Sequence, residues 1–190
     1  MADLITLTPE GLYCPLGDFH IDPWRPVERA LITHAHSDHA RRGTNHYHAP
    51  RSAVGLLRQR LGPEATIDGH GFDEPLALGD ATASFHPAGH VLGSAQIRIE
   101  AAGEVWVVSG DYKRDPDPSC EAFEVVPCDA FVTEATFALP LLRPTMARFA
   151  PRAASASAAA KPMPLVAPVI RICLSFTAQQ SKRYGNARMI

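Results

Sequence analysis

The chain has 190 residues, of which 46% are hydrophobic, and its formal net charge at pH 7 is −2. This length suits one domain, or one domain and a tail, with enough apolar residues for a packed core. No apolar run approaches the roughly 18 residues that cross a bilayer, and the first residues do not resemble a secretory signal. We therefore expect a cytoplasmic protein without membrane contact. Its four scattered cysteines are expected to form neither disulfides nor a thiolate metal site.

The charge is divided unevenly along the chain. Residues 1–134 hold all 20 acidic residues and ten basic ones, whereas residues 135–190 hold eight basic residues and no acid. The stretch 151–160 is rich in alanine and serine, and further prolines follow it. These shifts predict a folded portion over 1–142 and a low-complexity basic tail over 143–190, which is expected to be disordered or out of frame.

The first predicted elements are short strands. Apolar or alternating runs indicate strands over 4–7, 12–13 and 19–22, and a buried strand then leads into Thr33. Asp22 ends the third strand and has two open interpretations. It is either a turn carboxylate or a group that points toward the loop after Thr33.

The loop His34–His39 follows directly after this buried strand. Its sequence is His-Ala-His-Ser-Asp-His, so three imidazoles and one carboxylate lie within six residues. On a loop that leaves a strand, neighbouring side chains can converge on one point. Since imidazole nitrogen and carboxylate oxygen are the ligands that zinc prefers after thiolate, the loop is predicted to form half of a metal site.

Three other histidines lie between this loop and residue 71. Residues 45–49 alternate as a strand, so His46 and His48 would share one face like a ligand pair. A surface or packing role is favoured for both, because the metal site can be completed without them. His70 is expected in a solvent-exposed loop.

A helix is predicted over 52–61, with Ser52 as its N-cap and Gly62 as its stop. Arg51 directly precedes this helix, and Arg58 and Arg60 belong to it. A solvated helix face is favoured for these arginines over contact with phosphates.

Two later strands end in residues that bind metals. The strand over 81–86 leads into a glycine-flanked His90, and the apolar strand over 105–108 ends in Ser-Gly-Asp111. A strand over 130–134 repeats this design with a terminal Glu134, which is not assigned as a ligand. Such strand ends let distant residues meet along one edge of a sheet.

The candidate ligands divide between two ions. On their chemistry, the first ion would be held by His34, His36 and His90. The second ion would be held by Asp38 and His39, together with Asp111, which the two ions would share. Two adjacent ions can clamp the attacking and leaving oxygens of a phosphodiester. Asp38 and His39 are therefore also the candidate catalytic residues. A set of hydrogen-bonded loop histidines without a metal is the weaker alternative.

At this point the motifs resemble a known family. The loop His34–His39 resembles the signature of the metallo-β-lactamase superfamily. Residues 88–94 resemble its third motif in the nucleic-acid-processing (β-CASP) branch, and residues 109–113 resemble the fourth. Residues 13–26 and 133–137 resemble those of exonucleases associated with bacterial DNA ligases, also described as mRNA 3′-end-processing exonuclease-like. The resemblance extends from about residue 12 to about residue 142.

The resemblance implies an α/β fold, a four-layer αββα sandwich of which this chain would hold the N-terminal part. It implies two zinc ions at one edge of the sheets, with manganese as an alternative metal. It also implies that Asp22 orients a metal ligand. The substrate would be DNA or RNA, hydrolysed as an exonuclease, and the partner would be a DNA ligase or repair system.

The family pattern also contains parts that this sequence lacks. No histidine follows His90, so the family's further histidine ligand and the inserted domain that covers its site have no counterpart here. We therefore expect a truncated family member, and three functions stay open: an exonuclease, a small-molecule metallo-hydrolase and an inactive zinc-binding remnant. The Gly-His-Val-Leu-Gly-Ser motif argues against the small-molecule hydrolase. A nucleic-acid-binding module without chemistry is disfavoured, because the acidic portion would repel phosphates.

Overall fold

A computed structural model describes residues 3–134 of the protein, together with two further strands over 169–173 and 188–189. Within these residues the chain forms two β-sheets, one 3₁₀ turn and one α-helix. No helix in this described part is long and apolar enough to cross a membrane.

The first sheet contains six strands whose spatial order follows the sequence: β1 (Thr6–Thr8), β2 (Gly11–Cys14), β3 (Phe19–Ile21), β4 (Arg29–Leu31), β5 (His46–Pro50) and β6 (Ile67–His70). The pairs from β1 to β3 are antiparallel, and the pairs from β3 to β6 are parallel. Because parallel strands point the same way, the segments that follow β3 and β4 leave the sheet at the same edge.

The second sheet contains the remaining strands in reverse order: β7 (Leu76–Leu78), β8 (Ala81–Pro87), β9 (Ala95–Ala101), β10 (Glu104–Val108), β11 (Ala130–Glu134), β12 (Val169–Cys173) and β13 (Arg188–Met189). Its pairs are antiparallel, except for the parallel pair of β10 and β11.

The two sheets pack face to face on one apolar core. In β9 the alternation places Ile97 and Ile99 in this core with no exposed surface, whereas Glu100 faces solvent. The first sheet contributes Phe19 and Leu31 to the same core. Full burial of such a side chain contributes about 1.5–3 kcal/mol. This layer therefore holds the two sheets, and the loops at their shared edge, in a fixed relation.

A helix covers the outer face of the first sheet. Helix α1 (Val54–Leu61) packs Leu57 and Leu61 into a second apolar cluster with Tyr47 and Ala49 of β5. The helix and its stop at Gly62 were predicted from the sequence and are confirmed.

The prediction of Ser52 as the N-cap is wrong. Residues Arg51–Ala53 form a 3₁₀ turn, and Ala53 is the N-cap without a side-chain hydrogen bond. In this turn the N–H of Val54 donates to the carbonyl oxygen of Arg51. The helix therefore continues from a turn that already supplies an acceptor, and no capping side chain is required.

The predicted strands are present with shifted ends, and the α/β sandwich class is confirmed in the layers helix, sheet and sheet. The prediction that His70 lies in an exposed loop is wrong, because it ends β6 and is half-buried. β12 and β13 fall within residues 143–190, and the rest of that stretch lies outside the described residues. The boundary near residue 142 and the low-complexity tail stay predictions.

Candidate metal centre

The candidate ligands follow strand ends in both sheets. Asp22 follows β3, and the loop His34–His39 follows β4 in the first sheet. His90 follows β8 and Asp111 follows β10 in the second sheet. Because the sheets pack face to face, these four strand ends lie at one shared edge.

Thr33 is the point where the two sheets are joined at this edge. The N–H of Ala95 donates to the carbonyl oxygen of Thr33 at 2.8 Å. Gly110 approaches the same residue so closely that a Cβ atom added to it would lie 2.6 Å from Thr33 Oγ1. Gly110 also has a positive φ of 55°, which favours glycine. The contact brings Asp111 up to the histidine loop.

Four of the predicted ligands converge on one point. His34, His36, His90 and Asp111 each offer one donor atom, and these atoms lie within 4.8 Å of one another. The Oδ2 atom of Asp111 lies 3.7 Å from His34 Nε2 and 3.5 Å from His90 Nε2. His34 is fully buried, whereas His36 is exposed at the mouth of the site.

The remaining two predicted ligands lie on the other side of Asp111. Its Oδ1 atom lies 3.3 Å from His39 Nε2, and Asp38 Oδ2 lies 3.7 Å from the same nitrogen. The side chain of Asp38 is 69% exposed, so it forms the rim of the site. The two oxygens of Asp111 therefore face the two predicted ligand sets separately.

Asp22 supports the histidine loop from behind. Its Oδ2 atom lies 2.8 Å from His39 Nδ1, and its Oδ1 atom accepts the backbone N–H of Thr33 at 2.8 Å. The Thr33 hydroxyl also donates to Asp22 Oδ2, at 2.5 Å. Of the two open interpretations of Asp22, the structure favours the one in which it points toward the loop.

The Thr33 hydroxyl also determines which nitrogen of His34 carries the proton. A hydroxyl has one proton, and Thr33 gives this proton to Asp22. At its 3.1 Å contact with Thr33 Oγ1, His34 Nδ1 must therefore be the donor. The Nε2 atom of His34 is left with a lone pair that faces the convergence point.

The charges at the site differ between the two sets. Burial lowers the pKa of His34 to about 4, and burial also lowers the pKa of His90, so both imidazoles are neutral near pH 7. Burial opposes a charge on His39, but the carboxylates of Asp22 and Asp111 outweigh it and raise its pKa to about 11. Without a metal, His39 carries the positive charge that these carboxylates attract.

The residues fit a metal ion. Within the described part of the chain, the buried Nε2 atoms of His34 and His90 have no hydrogen-bond partner. An unsatisfied buried polar group costs about 1–3 kcal/mol. A cation between these nitrogens and Asp111 would remove this cost, and the nitrogen and oxygen donors suit zinc.

Ser94 and Thr33 support the site, although neither is among the predicted ligands. The Ser94 hydroxyl accepts the backbone N–H groups of His90 at 3.0 Å and Val91 at 3.1 Å, and this holds the turn that presents His90. The position of Ser94 and Thr33 next to the predicted ligands could have identified them, because short hydroxyl side chains readily form hydrogen bonds with the local backbone.

Comparison with known proteins shows which proteins this chain is similar to. No protein-family model matches the chain. The chain is 31% identical over 134 residues to a probable DNA ligase of Opitutus terrae, a match covering 68% of this chain and 13% of the ligase. It is 38% identical over 85 residues to endoribonuclease YSH1 of Candida glabrata, covering 44% of this chain and 11% of that protein. The chain is related to the metallo-β-lactamase superfamily and its β-CASP branch.

A second YSH1 endoribonuclease, from Kluyveromyces lactis, is 42% identical over 74 residues, covering 38% of this chain and 9% of that protein. The chain thus spans between 9% and 13% of the length of these curated relatives. Among solved structures, a Cronobacter sakazakii metallo-β-lactamase with a HARLDQ-motif mutation has a TM-score of 0.47 and 12% identity, with 76% of each chain covered. A B3 metallo-β-lactamase with an active-site glutamic acid has a TM-score of 0.40 and 16% identity, covering 56% of this chain and 57% of that one.

In this chain, a groove of about 590 Å³ opens beside His36. Two arginines contribute to its lining, and each is anchored through Nε. Arg60 donates to the carbonyl oxygen of Ala35 at 2.5 Å, and Arg42 donates to that of Arg60 at 3.0 Å. Arg60 remains exposed, as expected, but it lies on the side of α1 that faces the loop His34–His39.

Proposed function

We propose that the chain is a metal-dependent phosphodiester hydrolase that acts as an exonuclease on DNA or RNA through two zinc ions. The observation that carries this proposal is the convergence of His34, His36, His90 and Asp111 within 4.8 Å. The names of its relatives, a probable DNA ligase and endoribonucleases, support nucleic acid as the substrate class.

The two ligand sets share the carboxylate of Asp111. His34, His36 and His90 would hold one ion, while Asp38 and His39 would hold the second. When bound, zinc supplies Lewis acidity to a phosphoryl oxygen and a nucleophile from water at neutral pH. Thr33 directs the lone pair of His34 toward the site, and Asp22 does the same for His39.

Asp38 is the candidate proton acceptor. Its side chain is 69% exposed and stands at the rim, where water and substrate arrive. One carboxylate oxygen of Asp38 would hold the ion and the other would take the proton of the attacking water, while His39 stays oriented by Asp22. The division of roles follows from exposure, because the better buried Asp111 is surrounded by three histidines.

The groove supplies a place for the phosphate backbone. The Nε atom of Arg60 donates to the carbonyl oxygen of Ala35, so its guanidinium is anchored in the wall of the groove that His36 also lines. A guanidinium in fixed orientation matches the bidentate geometry of a phosphate. Residues 1–134 hold twice as many acidic as basic residues, so this groove would be a local exception on a surface that repels polyanions.

An inactive zinc-binding protein is the second candidate. One observation favours it: Asp38, a ligand of the second set, is exposed and lies 3.7 Å from His39 Nε2. The second set would then depend on His39 and the shared Asp111, whereas the first set has three histidines, so the second ion would be bound more weakly. The chain would then hold one ion at the first set and hydrolyse nothing.

Turnover by the zinc-loaded full chain tests the proposal. Bis(p-nitrophenyl) phosphate and end-labelled single-stranded DNA and RNA would be offered beside a thioester, and bound zinc would be counted by native mass spectrometry. We expect phosphodiester hydrolysis that falls about 100-fold or more in Asp111→Asn and His90→Gln. His20→Gln, a histidine outside the site, should keep full activity.

Each alternative has its own outcome. Zinc binding without hydrolysis of any substrate would identify the inactive protein, and preferential thioester hydrolysis would identify a small-molecule hydrolase. Circular single-stranded DNA separates the modes of cleavage, because an exonuclease requires an end. Cleavage of the circle at the rate of the linear strand would overturn the exonuclease assignment.

A further inference from the structure

A second cluster of histidines lies on the first sheet, away from the ligands described above. β5 and β6 pair in parallel, with His48 opposite Asp68 and Pro50 opposite His70. Residues at even positions of both strands share the face opposite helix α1, because odd positions such as Tyr47 pack against that helix. His46, His48, Asp68 and His70 therefore lie together, near the sheet edge that β6 forms.

His48 is the buried member of this cluster and has an unsatisfied nitrogen. Its relative exposure is 5%, and its Nδ1 atom lies 3.1 Å from His70 Nε2. Within the described residues, its buried Nε2 atom has no hydrogen-bond partner. If Nδ1 donates to His70, Nε2 presents a buried lone pair with nothing to accept.

The neighbours of His48 hold it neutral. Burial, followed by the nearby imidazoles of His46 and His70, lowers the pKa of His48 to about 4. The rings of His46 and His48 are stacked, with centroids 4.5 Å apart and planes inclined by 24°. A neutral imidazole whose other nitrogen is hydrogen-bonded is the form in which histidine binds metals.

Two exposed side chains complete the ligand set. The Nε2 atom of His46 lies 2.9 Å from Asp68 Oδ2, and the two side chains are 37% and 55% exposed. One donor atom from each of His46, His48 and Asp68 lies within 4.8 Å of the others. Ligand atoms around a tetrahedral zinc ion are roughly 3.3 Å apart. Rotations of the exposed His46 and Asp68 can close that difference without moving the core.

We propose that His46, His48 and Asp68 form a second divalent-metal site, separate from the centre at the sheet edge. Two imidazoles and one carboxylate select a zinc-like ion over calcium or magnesium, which prefer oxygen ligands. His70 orients His48 through Nδ1. The proposal does not depend on the hydrolase activity, since it shares no residue with that centre.

A third group, Asp73, His86 and Glu124, also has donor atoms within 4.8 Å of one another, but its buried histidine is hydrogen-bonded differently from His48. His86 has a relative exposure of 8%, and its Nδ1 atom lies 2.9 Å from Asp73 Oδ1. Its Nε2 atom lies 2.9 Å from the hydroxyl of Ser84. Both nitrogens of His86 thus have partners, whereas the Nε2 atom of His48 has none in the described part of the chain. Asp73 therefore offers a matched control.

Metal counting in variants of the full chain tests the second site. Zinc would be counted by native mass spectrometry in three variants: the second-site pair His46→Gln with Asp68→Asn, the first-site pair His36→Gln with His90→Gln, and the control Asp73→Asn. We expect the second-site pair to bind one ion fewer than the wild-type chain. The first-site pair should retain that ion, and Asp73→Asn should bind as many ions as the wild type.

The proposal is overturned if the second-site pair binds as many ions as the wild type, if the first-site pair binds none, or if the control loses the same ion. A measurement on the wild-type chain covers the case in which a variant fails to fold. Zinc should slow diethyl pyrocarbonate modification of His46, read by peptide mass spectrometry, at least tenfold. Equal rates with and without zinc would also refute the site.

Discussion

The Oδ2 atom of Asp22 lies 2.8 Å from His39 Nδ1 and accepts the hydroxyl hydrogen of Thr33 at 2.5 Å. One carboxylate oxygen thus orients the side chains of both His39 and Thr33 at the shared edge of the two sheets. Asp22 itself has a positive φ of 44°, a backbone conformation that aspartate and asparagine tolerate better than other residues. Asparagine therefore tests the carboxylate without disturbing the turn.

Asp22→Asn should weaken metal binding at the His39 set about 10–100-fold, the usual cost of losing a group that orients a histidine ligand. An amide nitrogen in place of Oδ2 cannot accept the Nδ1 proton of His39. Zinc affinity would be measured by competition with a chromophoric chelator. Asp18→Asn is the matched control, because Asp18 also has a positive φ, of 50°, and its Oδ1 atom accepts from the hydroxyl of Tyr13, which is not a candidate ligand. Equal affinities in both variants would contradict the role of Asp22.

Metal removal should destabilise the chain. Without an ion, the buried Nε2 atoms of His34 and His90 have no hydrogen-bond partner among the residues that the structure describes. A ligand at 100 times its Kd stabilises the folded state by about 2.7 kcal/mol. We therefore expect EDTA to lower the Tm and added zinc to restore it, as measured by calorimetry. His90→Gln should reduce this zinc-dependent shift, and a Tm that does not respond to zinc would speak against a metal centre.

Gly110→Ala should destabilise the fold more than Gly103→Ala. Both glycines have positive φ, of 55° and 81°, so each alanine costs about 1–2 kcal/mol in backbone conformation. A Cβ atom at Gly103 meets open space, whereas at Gly110 it would lie 2.6 Å from Thr33 Oγ1. Urea unfolding should give a further loss of about 1–3 kcal/mol at Gly110, the usual cost of overpacking. Equal losses would mean that the sheets do not need this close contact.

Arg60→Gln should weaken binding of an oligonucleotide and make it less dependent on salt. Removing one phosphate contact reduces the slope of log K against log salt by about 0.7 for a single strand. Binding to a labelled strand would be measured by fluorescence anisotropy over a range of salt concentrations. Arg58→Gln, an exposed arginine of the same helix that does not line the groove, is the matched control. If both variants bind alike, the groove does not hold the phosphate backbone.

Local patterns in the sequence predicted much of the fold. The alternation over 96–100 is the pattern of a strand with one face in the core, and β9 has it. The helix over 54–61 followed from its apolar spacing and from Gly62. The ends of elements were less predictable: Ser52 resembles an N-cap, but the preceding 3₁₀ turn already supplies an acceptor for the first helical N–H.

The candidate site could be assembled from the sequence only as a set of residue types. The loop His34–His39 was recognisable because its donors are neighbours in the chain. No local sequence pattern indicates that the two oxygens of Asp111 face different histidines, or that the hydroxyl of Thr33 donates to Asp22. They depend on how closely the two sheets approach at Gly110.

Apolar patterns and short motifs are local properties, so they indicate which side chains can bind a metal and that these side chains follow strand ends. Which atoms face one another depends on contacts between distant parts of the chain. His48 and His70 lie 22 positions apart and meet through the register of β5 and β6, which no pattern within either strand specifies. Pairing register and sheet packing are long-range properties. They place His70, which the sequence assigned to an exposed loop, beside the buried His48.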